Sequence, residues 1–306
     1  MAFSAQDVKD LREKTGVGMM DCKKALAATD GDIEQAVAWL REKGLAAAEK
    51  KAGRIAAEGM AYAAVIDGVG VVVEVNSESD FVAKNDKFVE YVQNVAAVVA
   101  KENPADLDAL MACPYPDGGT VEQAQQEKVL VIGENIKVRR FARYATGLSV
   151  PYVHMGGRIG VVVNMEVSAG LEQKPEVVEL GKDIAMQIAA MNPTYCDKSE
   201  VDPSVLEKEK EILIIQAKED PKNANKPENI IEKMVMGRLG KFYEENCLLQ
   251  QQYVKGDKET VEKHVADVAK AAGGTIKIVG FTRFEKGEGI EKRQDDLAAE
   301  VAKMVK

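Results

Sequence analysis

Histidine is nearly absent from this chain, cysteine is sparse, and no long apolar run occurs. Each shortage closes off a class of function. The only histidines in 306 residues are His154 and His264. Neither has a cysteine or histidine at ligand spacing, so no zinc site is expected. The four cysteines (Cys22, Cys113, Cys196 and Cys247) lie far apart with no C-x-x-C pair. That spacing argues against a disulfide framework and for a reducing, cytoplasmic setting. Stretches such as "VGVVV" and "VAAVVA" fall well short of the ~18 apolar residues a membrane span needs. The start, "MAFSAQDVKD", lacks the basic flank and apolar core of a signal peptide, and it is not Arg- and Ser-rich like a transit sequence. Basic residues are not in excess: 41 Lys and Arg face 50 Asp and Glu, a formal charge of −9. A broad nucleic-acid surface is therefore not expected. The best local basic stretch, "EKKAGR" at 49–54, reads as a solvated helix end leading into a linker.

Enzyme signatures are missing too. No G-x-x-x-x-G-K-[ST] phosphate loop and no G-x-S-x-G elbow occur,. Gly68 and Gly70 sit in a strand–strand turn rather than a strand–helix turn, which disfavours a dinucleotide site. No cofactor is expected. Glu78 and Asp80 are i, i+2 neighbours in a loop, a spacing that sets no geometry for acid–base work. His154, at a strand end beside a turn, reads as a structural histidine or as a partner contact.

What is present is organisation. The fold class expected is α+β. Residues 1–54 read as a three-helix module. Ser4 can cap a first helix with Asp7 three residues on, and Val8 and Leu11 share a face. "TGVG" breaks that helix. A second runs from about Met20 to Ala28. Asp32 can cap a third, with Ile33, Ala36, Val37 and Leu40 at helical spacing and Gly44 at its end. Residues 45–58 then read as a helical or loosely ordered connector. Met19 and Met20 cannot both face so small a core, and methionine suits adaptable contact surfaces.

Beyond residue 60 the chain repeats itself. "GVVVEV" from Gly70 returns as "GVVVNMEV" from Gly160, an offset of 90, and "NIKVRRFARY" at 135–144 returns as "TIKIVGFTRF" at 275–284, an offset of 140. Alternation in these segments indicates strands with one buried face, and a helix follows each first segment, at about 86–101 and 175–190. The offsets differ by 50, so the second copy should carry an insertion of that length. Asp202 and Pro203 suit the start of a helix. Val205, Leu206, Ile212 and Leu213 give it an apolar repeat, and "EDPKNANKPE" breaks it. Ile231, Met234, Val235, Leu239 and Phe242 mark a second helix, giving an antiparallel hairpin. The expected domains are residues 1–54, 55–146 (core subdomain 1), 147–193 with 244–285 (core subdomain 2), 194–243 (helical hairpin) and 286–306. The last is a C-terminal module ending in a short helix with Leu297, Val301, Met304 and Val305 at helical spacing.

One loop fits none of these patterns. "NSESDFVAKNDKF" at 76–88 follows a strand and sets Phe81 beside Asp80 in a charged turn. Together with "LREKTGVGMMDCKKAL", "GDIEQAV", "HMGGRIGVVV" and "GFTRFEKGEGIEK", in this order and nearly end to end, it resembles the translation elongation factor Ts family. That resemblance implies a ubiquitin-associated-like N-terminal module, two related core subdomains and an inserted coiled coil. It implies guanine-nucleotide exchange on elongation factor Tu, met in GDP-bound and nucleotide-free forms. It implies no bond-making chemistry, no cofactor, and no nucleic-acid or membrane partner. By the same resemblance Ser79, Asp80, Phe81 and Val82 form the loop that enters the GTPase near its magnesium, helped by Lys84 and Asn85. The family commonly has Thr where this chain has Ser79. Leu11, Met19 and Met20 should contact the GTPase domain, and His154, Gly156 and Gly157 a second partner domain. The C-terminal tail should lie near the GTPase domain. A homodimer through the core or the hairpin stays open.

Overall fold

Two three-stranded antiparallel sheets, built from equivalent segments of the chain, form the centre of the molecule. The structure is a computed structural model that describes residues 3–220, 223 and 226–291. The first half contains β1 (Glu58–Ile66), β2 (Val69–Ser77), α4 (Asp86–Glu102), α5 (Leu107–Ala112), α6 (Val121–Ile132) and β3 (Lys137–Tyr144). The second contains β4 (Leu148–His154), β5 (Ile159–Val167), α7 (Pro175–Met191), α8 (Pro203–Glu219), α9 (Glu228–Asn246), α10 (Val261–Ala272) and β6 (Ile276–Glu285). The sheets run β1-β2-β3 and β4-β5-β6. The chain is thus α+β, with antiparallel sheets.

The register carries the two offsets residue by residue. Gly70 pairs with Tyr144, and Gly160 with Phe284. A β-bulge falls between Glu74 and Val75, and another between Asn164 and Met165. Such bulges bend a strand and sharpen its twist, so the two sheets bend at the same place. α6 and α10, which the strand repeat does not reveal, obey the same rule. Each starts after a capping threonine (Thr120, Thr260) and closes on a left-handed glycine (Gly133, Gly273).

The central strands open with an apolar run, Val71–Val73 and Val161–Val163, because both of their faces are covered. Val71, Val73 and Val75 of β2 pack beneath Phe88, Tyr91 and Val92 of α4. Val72 faces the other way, into a seam between the sheets shared with Ala61, Ala63, Val162 and Phe284. β5 repeats this, with Val161, Val163 and Met165 under α7.

Glu74 breaks the apolar run and is fully buried. Its carboxylate pairs with Arg139 and Arg140 of β3 and accepts from the Asn76 side chain and the Gly287 N–H. Arg140 also lies over the Phe284 ring, and Lys286 pairs with Glu58. The segment after β6 is therefore fastened to the first half. The expected helix bearing Leu297, Val301, Met304 and Val305 lies outside the described residues.

The N-terminal helices are α1 (Ala5–Thr15), α2 (Met19–Ala28) and α3 (Ile33–Lys51). Ser4 and Asp7 form the expected reciprocal cap, and Asp32 caps α3. Gly44 does not end α3, which continues to Lys51. The cause is packing: α3 crosses α6 so closely that a Cβ on Gly44 would stand 3.3 Å from the Gln126 carbonyl oxygen. Residues 45–51 are thus helix docked on the core. The basic stretch 49–54 is an exposed helix end, as expected, except at Lys51, whose ammonium donates to the Val129 carbonyl at 3.4 Å and whose pKa is lowered by burial.

In the insertion, Asp202 caps α8 and Pro203 opens it. Leu213 and Ala217 pack with Ile231, Val235 and Leu239 of α9. Ile212, expected on that buried stripe, is exposed along with Ile215 and Met236, because the stripe follows Leu213 and Ala217 round the helix. No helix of the described residues is long and apolar enough to cross a membrane.

Candidate functional site

The loop that follows β2 is held at both ends and free at its tip. On the near side, the Glu134 carboxylate accepts the N–H groups of Glu78 (3.1 Å) and Ser79 (2.9 Å) and the Ser79 hydroxyl (2.6 Å). Glu78 answers by accepting the Asn135 N–H at 2.6 Å and the Arg54 guanidinium at 3.4 Å. The Asn135 side chain donates to the Arg54 carbonyl, and the Ser77 hydroxyl to the Ser79 carbonyl. On the far side Val82 is buried in the first-half core and opens a single 3-10 turn, Val82–Lys84. Asn85 then caps α4 by accepting the Lys87 N–H at 3.0 Å. Between these anchors Asp80 is exposed and Phe81 is 83% exposed. The ring is thus offered to water from backbone fastened on either side.

The expected residues therefore divide. Asp80, Phe81 and Lys84 face solvent. Val82 is an anchor, Asn85 is a helix cap, and the Ser79 hydroxyl is engaged by Glu134. Glu78 and Asp80 do not act as a pair, since one is bonded to Asn135 and Arg54 and the other stands in solvent.

In the N-terminal module Met19 and Met20 are 51% and 64% exposed. With Phe3 and Val8 they line an apolar cleft of about 360 Å³, edged by Lys23. Leu11, expected as a contact residue, is instead fully buried in the module's core, where it supports the helices that carry the methionines. The turn before α2 is tied to the start of α4 by Lys87, whose ammonium donates to the Gly16 carbonyl at 3.3 Å. The methionine shelf and the Phe81 loop thus flank one fastened junction.

His154 ends β4, with its Nδ1 2.9 Å from the Tyr152 hydroxyl. The turn beyond it needs left-handed backbone at Gly156 and Gly157 (φ +64° and +98°). Gly157 is also pressed against the first sheet: its carbonyl accepts the Ala61 N–H at 2.8 Å, and a Cβ there would strike the Met60 side chain. Met155, between His154 and the glycines, is 69% exposed and is the apolar side chain this turn presents to solvent, beside the exposed Arg158.

Glu134, Asn135 and Arg54 escaped sequence reasoning. Their one available signal was position, since Glu134 and Asn135 directly follow the glycine that closes α6.

Comparison with known proteins identifies the family. The family model described as Elongation factor TS matches residues 78–288. The chain is 49% identical to Elongation factor Ts of Clostridioides difficile (strain 630) over 307 residues, 99% of each chain. It is 48% identical to Elongation factor Ts of Syntrophotalea carbinolica over 309 residues, 100% of each. The protein of that name from Magnetococcus marinus is 46% identical over 308 residues, 100% of this chain and 99% of its own.

Proposed function

The chain belongs to the elongation factor Ts family, and from that premise we propose that it is a guanine-nucleotide exchange factor for elongation factor Tu, the GTPase that carries aminoacyl-tRNA to the ribosome. It acts in the cytoplasm during elongation, binds the GDP-bound and nucleotide-free GTPase, and makes or breaks no bond itself. The observation that carries this reading is Phe81, 83% exposed at the tip of a loop fastened on both sides.

Magnesium demands near-ideal octahedral geometry and bridges protein to phosphate. A ring that wedges into the GTPase beside its magnesium shifts the groups holding the ion and weakens the nucleotide without touching its guanine. Burying the ring contributes ~1.5–3 kcal/mol, available only where the partner opens a pocket. Asp80 brings negative charge to a site already crowded with phosphate. Lys84 stands beside the tip.

Linkage sets how much energy is needed. Whatever factor by which this protein weakens nucleotide binding, nucleotide weakens this protein's binding equally. Taking a nanomolar nucleotide site to micromolar requires ~4 kcal/mol, more than one phenylalanine supplies. Met19 and Met20 on the ubiquitin-associated-like module, and the His154–Gly157 turn with Met155, contribute the rest as contacts to the GTPase domain and to a second domain. Leu11 and Val82 act from beneath, by holding those surfaces in place. The inserted helices form a coiled coil, and a homodimer through the core or that hairpin is compatible with this scheme.

The test is release of labelled GDP from the GTPase. Phe81→Ala should slow factor-stimulated release by about ten- to hundredfold, the equivalent of the buried ring, with unchanged circular dichroism. Release at the wild-type rate would remove the wedge.

A further inference from the structure

We propose that Glu134 is a positioning residue that holds the Asp80–Phe81 tip in its presenting conformation; the inference rests on the exchange reading above. Three donors of the loop converge on this one carboxylate: the Glu78 and Ser79 N–H groups and the Ser79 hydroxyl. Hydrogen bonds to an ionised acceptor are short and roughly twice as strong as neutral ones. They fix the two residues immediately before Asp80, so the path of the tip is decided at Glu134.

The second half of the molecule is an internal control. There the glycine closing α10, Gly273, is followed by Gly274 rather than a carboxylate. The start of the loop after β5 is joined to the chain just past α10 through Ser168 and Thr275, whose hydroxyls lie 2.8 Å apart and whose backbones share one bond at 3.0 Å. Its end is joined to α10 through the Lys174 ammonium, which donates to the Ala272 carbonyl at 2.7 Å. The one carboxylate that accepts a loop N–H, Glu172 from Gly170 at 2.8 Å, belongs to the loop itself. Its apolar residue, Leu171, is folded inward and 6% exposed. A Cβ on Gly274 would stand 2.8 Å from the Leu171 side chain, so that position must be bare for Leu171 to fold in. The half that presents an aromatic tip has a carboxylate there, and the half that hides its apolar residue has none.

Two measurements on the full chain test this. The first is amide hydrogen exchange at Glu78 and Ser79. Glu134→Ala should speed it about tenfold, the loss of one charge-assisted hydrogen bond, whereas Phe81→Ala should not. The second is stimulated GDP release as a function of factor concentration. Glu134→Ala should lower the maximal rate about tenfold and leave the half-saturating concentration within about twofold, because the other contact surfaces are untouched. Adding Phe81→Ala to Glu134→Ala should cost less than Phe81→Ala alone, since an unpositioned ring has less to lose. Glu134→Gln keeps the side chain's volume and replaces Glu134→Ala should the latter fold poorly; Ser79→Thr keeps the hydroxyl and should keep the rate. Unchanged amide protection, or a full release rate in the Glu134 variants while Phe81→Ala is slow, overturns this inference and leaves the exchange reading standing. A full release rate in Phe81→Ala overturns the exchange reading and this inference with it.

Discussion

The two halves of the core treat the loop after their central strand in opposite ways. In the first half eight residues, 78–85, join β2 to α4; in the second, seven residues, 168–174, join β5 to α7. Each loop sinks one aliphatic side chain into its own core, Val82 in one and Leu171 in the other. The extra residue of the first half is accommodated at the tip, where Phe81 meets solvent. An insertion of one residue, with a carboxylate to brace it, separates a loop that closes its own half from one that offers an aromatic ring to another molecule.

Three comparisons test that contrast. The largest effect should come from Leu171→Ala, which empties a packed site and should cost ~2–5 kcal/mol of stability in urea unfolding. Phe81→Ala touches no core and should change stability by less than ~0.5 kcal/mol. Equal costs at the two positions would erase the distinction between the loops. Next, Gly274→Glu places the first half's residue in the second. Its Cβ would press on Leu171 and Ser168, so overpacking should cost ~1–3 kcal/mol; a variant as stable as the parent would show that the bare position is incidental. The smallest difference between the halves should appear where they agree. Thr120→Ala and Thr260→Ala each remove a helix cap and should each cost ~1 kcal/mol. The two should cost alike, because each loses one bond to the hydroxyl, and the second bond of the Thr120 cap runs from its backbone N–H to Gln123 and survives the change.

Much of this architecture was legible because repetition is readable without neighbours. "GVVVEV" and "GVVVNMEV" announced the paired central strands, and the difference between the two offsets located the helical insertion. Capping was legible for the same reason: Ser4 with Asp7, and Asp32, act within one turn of chain. Phe81 stood out because an apolar residue in a charged turn has no local explanation. What failed depended on distant contacts. Gly44 read as a helix end because its reason for being glycine is Gln126, which lies on another helix. Ile212 and Leu213 look alike in sequence, and only the path of α9 decides which is buried. Glu134 could not be picked out, because its donors stand 55 and 56 residues before it and a glutamate after a helix is unremarkable in composition.

The buried carboxylate of Glu74 bears on how the protein is made. Its backbone donor, Gly287, lies 213 residues further along the chain, so a ribosome exposes the acid long before it delivers that donor. Stripping water from a carboxylate whose bonding is incomplete is unfavourable. The Glu74 site is therefore short of one of its bonds until Gly287 has been made, and its final consolidation must wait for that segment.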